Sequence, residues 1–331
     1  MPQPADCLRD GLQYGQWIAG PRRESSPCAR LEYVNRTCDR GHAFDEARLC
    51  AALRCRSVLF VGDSLVRGLF LALVGELMGS HNKAATVAAT ATQPTHYDAA
   101  GSACSATWSL RWPSALCQTN ASAQPSCPRG VNISFVGSSH LDIDKPVDPH
   151  AYDLDAESSA QKRCLRQSDL HWNRRLRDER QLLIISRGAH VQQYASVRGV
   201  DVRARAPWHA ERARVLASKL RGETLGVIFV MPHWGIIDFK HESSKSAARP
   251  ATFSGPIATN WSWHLIPMIG QVTAEGLRQG LDPDELLVVD PRRALDMRPD
   301  CRYDYLHVRP EVLIGSTLRQ LVAGLSLWSR H

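Results

Sequence analysis

The chain has 331 residues, of which 44% are hydrophobic and 22% are charged, and this composition excludes a disordered, collagen-like or coiled-coil protein. Its net charge of +7 comes from 40 basic and 33 acidic residues, and only six of the basic residues are lysine. The arginines are scattered and interleaved with acids, so we interpret them as a solvated surface and expect no nucleic-acid partner.

Four short apolar runs predict β-strands that are buried on both faces. They are SVLFV (57–61), QLLIIS (181–186), LGVIFVM (225–231) and LLVVD (286–290). Helical patterns alternate with these runs, first as a leucine stripe over about 65–79 and then over 211–221, 266–277 and about 312–325. The alternation predicts a three-layer α/β/α sandwich with a mainly parallel sheet.

Two regions depart from this alternation. Residues 1–55 carry five cysteines and little apolar periodicity, which predicts a disulfide-tied N-terminal segment packed on the core. Residues from 80 to about 150 are rich in small and polar residues, which predicts a surface insertion. We therefore expect a single domain over 1–331, with its core formed by 56–331.

No stretch reaches the roughly 18 consecutive apolar residues of a membrane-spanning helix, because Asp63, Arg67 and Glu76 interrupt the best candidate. The first residues also lack the basic and apolar regions of a signal peptide. We therefore expect contact with a membrane only through an N-terminal anchor that is absent from this chain.

The ten cysteines allow predictions about metal binding and about the cellular compartment of the protein. Zinc sites usually need paired cysteine knuckles, and the spacing from Cys50 to Cys55 stands alone, so we expect no metal. The even number favours disulfides and an oxidising compartment, with a reduced cytosolic protein as the alternative. We expect Cys301, the only cysteine beyond residue 164, to tie its loop to the N-terminal half. Four N-x-S/T sequons agree with the secretory pathway, at Asn35, Asn120, Asn132 and Asn260.

A candidate nucleophile follows the first predicted strand. Gly62, Asp63 and Ser64 stand between that strand and the leucine-striped helix, and open α/β sheets bind ligands beyond the carboxyl ends of their strands. A serine that opens a helix has its hydroxyl beside backbone N–H groups that favour negative charge. The alternative is that Ser64 is a plain N-cap residue, with Asp63 supporting the turn.

The loops after the middle strands hold further candidates. Gly188 is a candidate for an oxyanion hole together with the Ser64 N–H, because no side chain would cover its own N–H. The candidates for substrate binding are Arg67, His190, His233, Trp234, Trp261 and Trp263. The alternative is that these are ordinary loop residues, with the tryptophans in the core.

A carboxylate and an imidazole follow the last predicted strand. Asp304 and His307 are three residues apart, so one helical turn would place both side chains on one face. Asp304 would then orient the His307 imidazole, which would deprotonate the Ser64 hydroxyl.

The combination resembles the GDSL/SGNH hydrolases and, more specifically, the PC-esterase family, which includes the plant trichome-birefringence-like polysaccharide O-acetyltransferases. The residues that carry the resemblance are Gly15–Trp17, Phe60–Ser64, Gly188–His190 and the RPD…DxxH ending over Arg298–His307. The plant members usually have Gly-His-Trp-Trp where this chain has Gly188–Val191, and Trp-Cys after the DxxH motif where it has Val308–Pro310.

The resemblance implies an enzyme with Ser64, His307 and Asp304 as its catalytic triad and with no bound cofactor. We expect an O-acetyltransferase that moves an acetyl group from a donor to a hydroxyl of a polysaccharide or glycan, in the Golgi lumen or after secretion. The alternatives are a carbohydrate acetyl esterase with the same triad and a catalytically silent glycan-binding protein. No strand is followed by G-x-G-x-x-G or G-x4-G-K-[ST], which excludes the common nucleotide-binding motifs.

Overall fold

The computed structural model describes the sheet, the helices packed on it and several short flanking segments. The described residues are 16–19, 28, 31–34, 49, 53, 56–81, 96–97, 103–105, 108–112, 131–138, 141, 180–189, 191, 201–233, 265–302 and 306–328. Within these ranges, no helix combines the length and the apolar character needed to cross a bilayer.

The described part of the chain forms the following strands and helices. The strands are β1 (Gln16–Ala19), β2 (Leu31–Val34), β3 (Val58–Gly62), β4 (His96–Tyr97), β5 (Ala103–Ser105), β6 (Trp108–Trp112), β7 (Val131–Gly137), β8 (Leu182–Ile185), β9 (Gly226–Val230) and β10 (Leu286–Val289). The helices are α1 (Ser64–His81), α2 (Ala206–Leu220), α3 (Ile266–Gly280), α4 (Arg292–Asp296), α5 (Pro310–Leu313) and α6 (Arg319–Trp328). A 3-10 turn spans Pro299–Cys301, and a π-helical turn over Ile314–Leu318 joins α5 to α6.

The main sheet of the described region has six strands in the order β10-β9-β8-β3-β7-β6. The first five are parallel, and β6 is antiparallel to β7. Numbered along the chain, the parallel strands lie in the order 2-1-3-4-5, so the winding reverses between β3 and β8. Sheets of this kind bind ligands at such a reversal, beyond the carboxyl ends of the strands.

The predicted α/β fold with a mainly parallel sheet is confirmed. The four apolar runs form β3, β8, β9 and β10, each within one residue of its predicted bounds. The helix predicted over 211–221 begins earlier, at Ala206, because Pro207 lies in its first turn, where a missing N–H costs no hydrogen bond.

The prediction of a surface insertion over about 80–150 is wrong for β7. This strand pairs with β3 in the interior of the sheet, and its Ile133 and Phe135 side chains are buried. β7 was not predicted because Asn132 and Ser134 alternate with apolar residues in its sequence. The four predicted strands are instead continuous apolar runs. The sequon at Asn132 therefore lies within a strand, and its Ile133 and Ser134 are both buried.

β3 buries its two faces against different helices. Val58 and Phe60 belong to an apolar cluster with α1, α5 and α6, whereas Leu59 and Val61 belong to one with α2 and α3. A strand that packs on helices through both faces needs apolar side chains at every position. This double burial fixes the position of the turn that follows at Gly62.

The N-terminal hairpin contacts residues near the other end of the chain. The Trp17 Nε1–H donates a hydrogen bond to the Ala294 carbonyl at 3.0 Å, and the Arg298 guanidinium lies 5.6 Å from the centre of the Trp17 ring. Cys28 forms a disulfide with Cys301, which confirms the expected link of Cys301 to the N-terminal half. The pairing of the other cysteines lies outside the described residues.

α2 and α3 pack closely because glycines of α3 lie against alanines of α2. A Cβ on Gly276 would lie 2.2 Å from the Ala210 carbonyl oxygen and 2.7 Å from the Ala213 Cβ. A Cβ on Gly280 would lie 2.5 Å from the Ala217 Cβ. Only glycine therefore allows this distance between the two helices.

We predict that Gly276→Ala lowers the free energy of unfolding by about 1–3 kcal/mol, because overpacking outweighs the roughly 1 kcal/mol that alanine gains in helix propensity. Gly68→Ala in α1 is the matched control, since its Cβ would meet only Leu313 Cδ1, at an ordinary 3.7 Å. This control should be neutral or stabilising by up to about 1 kcal/mol. Urea unfolding of both variants measures the difference, and equal effects would contradict the packing argument.

Candidate active site

The turn after β3 requires glycine at position 62. A Cβ on Gly62 would lie 2.9 Å from the Ser186 carbonyl oxygen and 2.7 Å from Val66 Cγ2, so a larger residue would force the turn away from β8. The next two residues, Asp63 and Ser64, therefore stand at the carboxyl edge of the sheet, where the winding reverses.

Asp63 caps α1. Its Oδ1 accepts a hydrogen bond from the Leu65 N–H at 2.9 Å, and its backbone carbonyl accepts one from the Arg67 N–H. The Ser64 hydroxyl lies instead 2.7 Å from His307 Nε2, across a sequence separation of 243 residues. The capping role that we considered for Ser64 thus belongs to its neighbour, and the hydroxyl is directed at an imidazole.

The geometry of this pair suits nucleophilic catalysis. With Nε2 unprotonated, His307 accepts a hydrogen bond from the Ser64 hydroxyl and is placed to take its proton. Both side chains are half-buried, so a substrate can reach them. The N-terminus of α1 adds the positive end of a helix dipole, which stabilises negative charge beside Ser64.

His307 lies in a loop whose base is closed. The Arg309 N–H donates a hydrogen bond to the Cys301 carbonyl at 2.9 Å, and Arg302 and Val308 form an antiparallel bridge. Cys301 also carries the disulfide to the N-terminal segment and is fully buried. The base of the loop is therefore held both by its own backbone and by a covalent bond.

The residue before His307 has its carbonyl held by two buried side chains. The Leu306 carbonyl accepts hydrogen bonds from His233 Nε2 at 2.7 Å and from Arg302 Nη1 at 3.2 Å. Arg302 Nη2 lies 3.7 Å from the Asp296 carboxylate in α4. We predicted that His233 binds substrate, and the structure places its ring against the backbone of the His307 loop.

Gly188 packs against Pro232, in the turn after β9. A Cβ on Gly188 would lie 2.8 Å from Pro232 Cγ and 3.0 Å from Ile266 Cγ2, and a Cβ on Gly270 would lie 2.5 Å from Pro232 Cδ. The proline ring thus lies between two glycines, which fixes the turn that carries His233. Packing alone explains glycine at position 188, and its part in an oxyanion hole stays a prediction.

Of the other predicted site residues, one lies on α1 and the rest lie outside the described residues. Arg67 is exposed on α1. The residues that the structure does not describe are Asp304, His190, Trp234, Trp261 and Trp263, and their roles stay predictions.

The RPD motif supports the base of the His307 loop. Arg298 forms a bidentate ion pair with Asp300, in which its Nε and Nη2 donate to the two carboxylate oxygens at 2.9 and 2.7 Å. These hydrogen bonds lower the pKa of the Asp300 carboxyl. Arg298 Nη2 also lies 2.7 Å from Cys301 Sγ. Asp300 lies beside Cys28 and Cys301, a grouping that resembles metal ligands, but the two sulfurs are bonded to each other.

We interpreted the arginines as a solvated surface, but several of them are buried. Among the described residues, four arginines are buried, namely Arg187, Arg298, Arg302 and Arg319. Arg187 directly precedes Gly188, and its charge acts on the buried His209 of α2. Burial first, and then the charges of Arg187 and Arg205, lower the pKa of His209 to about 3. His209 is therefore neutral at physiological pH.

No protein-family model matches the chain, and a search of curated proteins finds no match. The fold and the site together define an α/β protein with a serine–histidine pair at the carboxyl edge of a parallel sheet.

We predict that Asp63→Ala lowers the free energy of unfolding by about 0.5–2 kcal/mol, because α1 loses its N-cap. Asp63→Asn should stay within a few tenths of a kcal/mol of the parent, since asparagine caps helices equally well. Denaturant unfolding of both variants distinguishes them. Equal losses would show that the carboxylate charge, and not the cap, is what stabilises the turn.

We predict that His209 makes stability fall as the pH falls from about 6.5 towards 3. The unfolded chain binds a proton at its ordinary pKa of 6.5, whereas the native state does so only near 3, so acid favours the unfolded state across this window. Between pH 7 and pH 4.5 the loss due to this residue is about 2–3 kcal/mol. Urea unfolding at both pH values should give a correspondingly smaller pH dependence for His209→Gln, and an unchanged one would contradict the assignment.

Proposed function

We propose that this protein is a serine-dependent O-acetyltransferase with the three-layer, SGNH-like arrangement that its sequence resembles. The observation that carries the proposal is the 2.7 Å contact between Ser64 Oγ and His307 Nε2. The Asp63 cap supports it, because the serine hydroxyl is not engaged by its own helix. Two apolar clusters, one on each face of β3, support the layered arrangement.

In the first half-reaction, Ser64 Oγ attacks the carbonyl carbon of the acetyl donor while His307 Nε2 takes the hydroxyl proton. The tetrahedral intermediate then collapses, the bond from the acetyl carbon to the donor breaks, and His307 returns the proton to the leaving group. The product is acetyl-Ser64. The negative charge of the intermediate develops beside the N-terminus of α1, where the helix dipole and the Ser64 N–H stabilise it.

In the second half-reaction, a hydroxyl of a polysaccharide or glycan attacks acetyl-Ser64. His307 takes the proton of that hydroxyl, the ester to Ser64 breaks, and the serine oxygen recovers a proton from the imidazolium. The sequence assigns Asp304 to orienting the ring and Gly188 to the oxyanion hole, and both assignments are part of the proposal.

The acceptor class rests on the resemblance to the PC-esterase family. Contacts between its motifs support the resemblance itself: Trp17 of the Gly-x-Trp motif contacts Arg298 of the RPD motif, which contacts the cysteine at the base of the His307 loop. The Cys28–Cys301 disulfide supports a site of action in the secretory pathway, where such bonds persist.

A carbohydrate acetyl esterase is the second candidate. It would use the same serine and histidine, with water in place of the acceptor hydroxyl. The side chains of Ser64 and His307 are both partly exposed, so water can reach them, and this supports the esterase as a candidate.

We predict that 4-nitrophenyl acetate, used as an acetyl donor without an acceptor, leaves an acetyl group on the peptide that contains Ser64, detected by mass spectrometry. An adduct that persists until a polysaccharide is added indicates the transferase, and discharge by water alone indicates the esterase. Ser218→Ala, at an exposed serine of α2, is the matched control and should acylate like the parent. Acylation that survives in Ser64→Ala would overturn both candidates.

We predict that Ser64→Ala and His307→Ala each lower kcat/KM by about a thousandfold or more, and that the double variant is little worse than either one. The two groups act as one unit, so removing the second costs little after the first is lost. Steady-state kinetics provide the measurement, and circular dichroism confirms that each variant is folded. Multiplicative losses in the double variant would mean that the two side chains act independently.

A further inference from the structure

We propose that His233 is a positioning residue, whose hydrogen bond to the Leu306 carbonyl places the His307 imidazole against Ser64. The inference rests on the proposed function of the Ser64–His307 pair. In this proposal, His233 acts on the backbone of the loop that carries His307, the general base.

The position of His233 is itself fixed from two directions. The Met231 N–H donates a hydrogen bond to the Val289 carbonyl at 2.8 Å, which ties the start of the turn to β10. The Pro232 ring lies between Gly188 and Gly270, where a Cβ on either glycine would come within 2.8 Å of it. The imidazole that follows is 6% exposed, so water does not compete effectively for its Nε2–H.

The direction of this hydrogen bond follows from its acceptor. A carbonyl oxygen only accepts hydrogen bonds, so Nε2 of His233 carries the hydrogen and donates it over 2.7 Å. Arg302 donates to the same oxygen, and its guanidinium lies near Asp296. The Leu306 carbonyl is thus held by one donor from its own loop and one from the turn after β9.

Holding this oxygen orients His307. The Leu306 carbonyl belongs to the peptide unit that ends at the His307 nitrogen and Cα, and a peptide unit is planar. Two hydrogen bonds to its oxygen therefore restrain the His307 nitrogen and Cα, the atoms from which its side chain extends. His307 Nε2 stays within 2.7 Å of Ser64 Oγ only if this starting point is held.

Removing the donor should slow catalysis without weakening donor binding. Without the His233 donor, the peptide plane gains freedom and His307 spends less time within reach of Ser64. Small misplacements of a reacting group cost up to about a hundredfold in rate. We expect His233→Leu to lower the rate constant for Ser64 acetylation by about tenfold to a hundredfold, with less than about a twofold change in KM for the acetyl donor.

The test compares His233→Gln with His233→Asn. The glutamine amide nitrogen reaches the place of Nε2 and can donate to the Leu306 carbonyl, whereas the shorter asparagine amide does not reach it. Acetylation should therefore recover most of its rate in His233→Gln and remain low in His233→Asn. If glutamine is as slow as asparagine, or if asparagine is as fast as the parent, the proposal is overturned. This pair keeps the test decisive should His233→Leu fail to fold.

A second readout is independent of turnover. In protein labelled with 15N at histidine, the Nε2 resonance of His307 reports its hydrogen bond to Ser64, and Ser64→Ala assigns that signal. The signal should shift in His233→Asn towards its position in Ser64→Ala and return in His233→Gln; an unchanged signal in His233→Asn contradicts positioning. Failure of the proposed function is recognised separately, because Ser64→Ala would then retain full acetylation whatever the His233 variants do.

Discussion

The hydrogen bond between Ser64 and His307 joins two loops that the fold holds by different means. Ser64 is placed by regular structure: β3 is buried on both faces, Gly62 lets the chain turn close to β8, and Asp63 starts the helix. His307 belongs to no strand or helix. Its position depends instead on hydrogen bonds and on a disulfide at the base of its loop, so the loop is the side of the pair that sequence changes can most easily displace.

The loop of His307 is also where three distant parts of the chain meet. The N-terminal hairpin contributes Trp17 and the disulfide partner Cys28, and the turn after β9 contributes His233. Arg298 and Arg302 sit between these contributions, buried and paired with Asp300 and Asp296 respectively. Buried guanidinium groups need such partners, because an unpaired charge in the interior is costly. These arginines are therefore structural parts of the site and not members of the charged surface.

The sheet was largely predictable from the sequence because strands buried on both faces leave a continuous apolar run. β7 was not, since its polar Asn132 and Ser134 alternate with apolar residues although the strand lies inside the sheet. Ser64 and His307 were predictable from their places after the first and last strands. The contact of His233 with the Leu306 carbonyl was not, because a bond from a side chain to a backbone oxygen 73 residues away has no local pattern. The packing of Gly188 on Pro232 depends in the same way on tertiary structure alone.

The disulfide has a consequence for the order in which the protein matures. Its two cysteines are separated by 273 residues, so during synthesis Cys28 leaves the ribosome long before Cys301 exists. The thiol of Cys28 must remain unpaired, or be held in a provisional bond, until the whole main sheet has been translated. The loop of His307 can acquire its covalent attachment only after that point. The covalent attachment of the His307 loop is thereby tied to the late oxidation of two thiols from opposite ends of the chain.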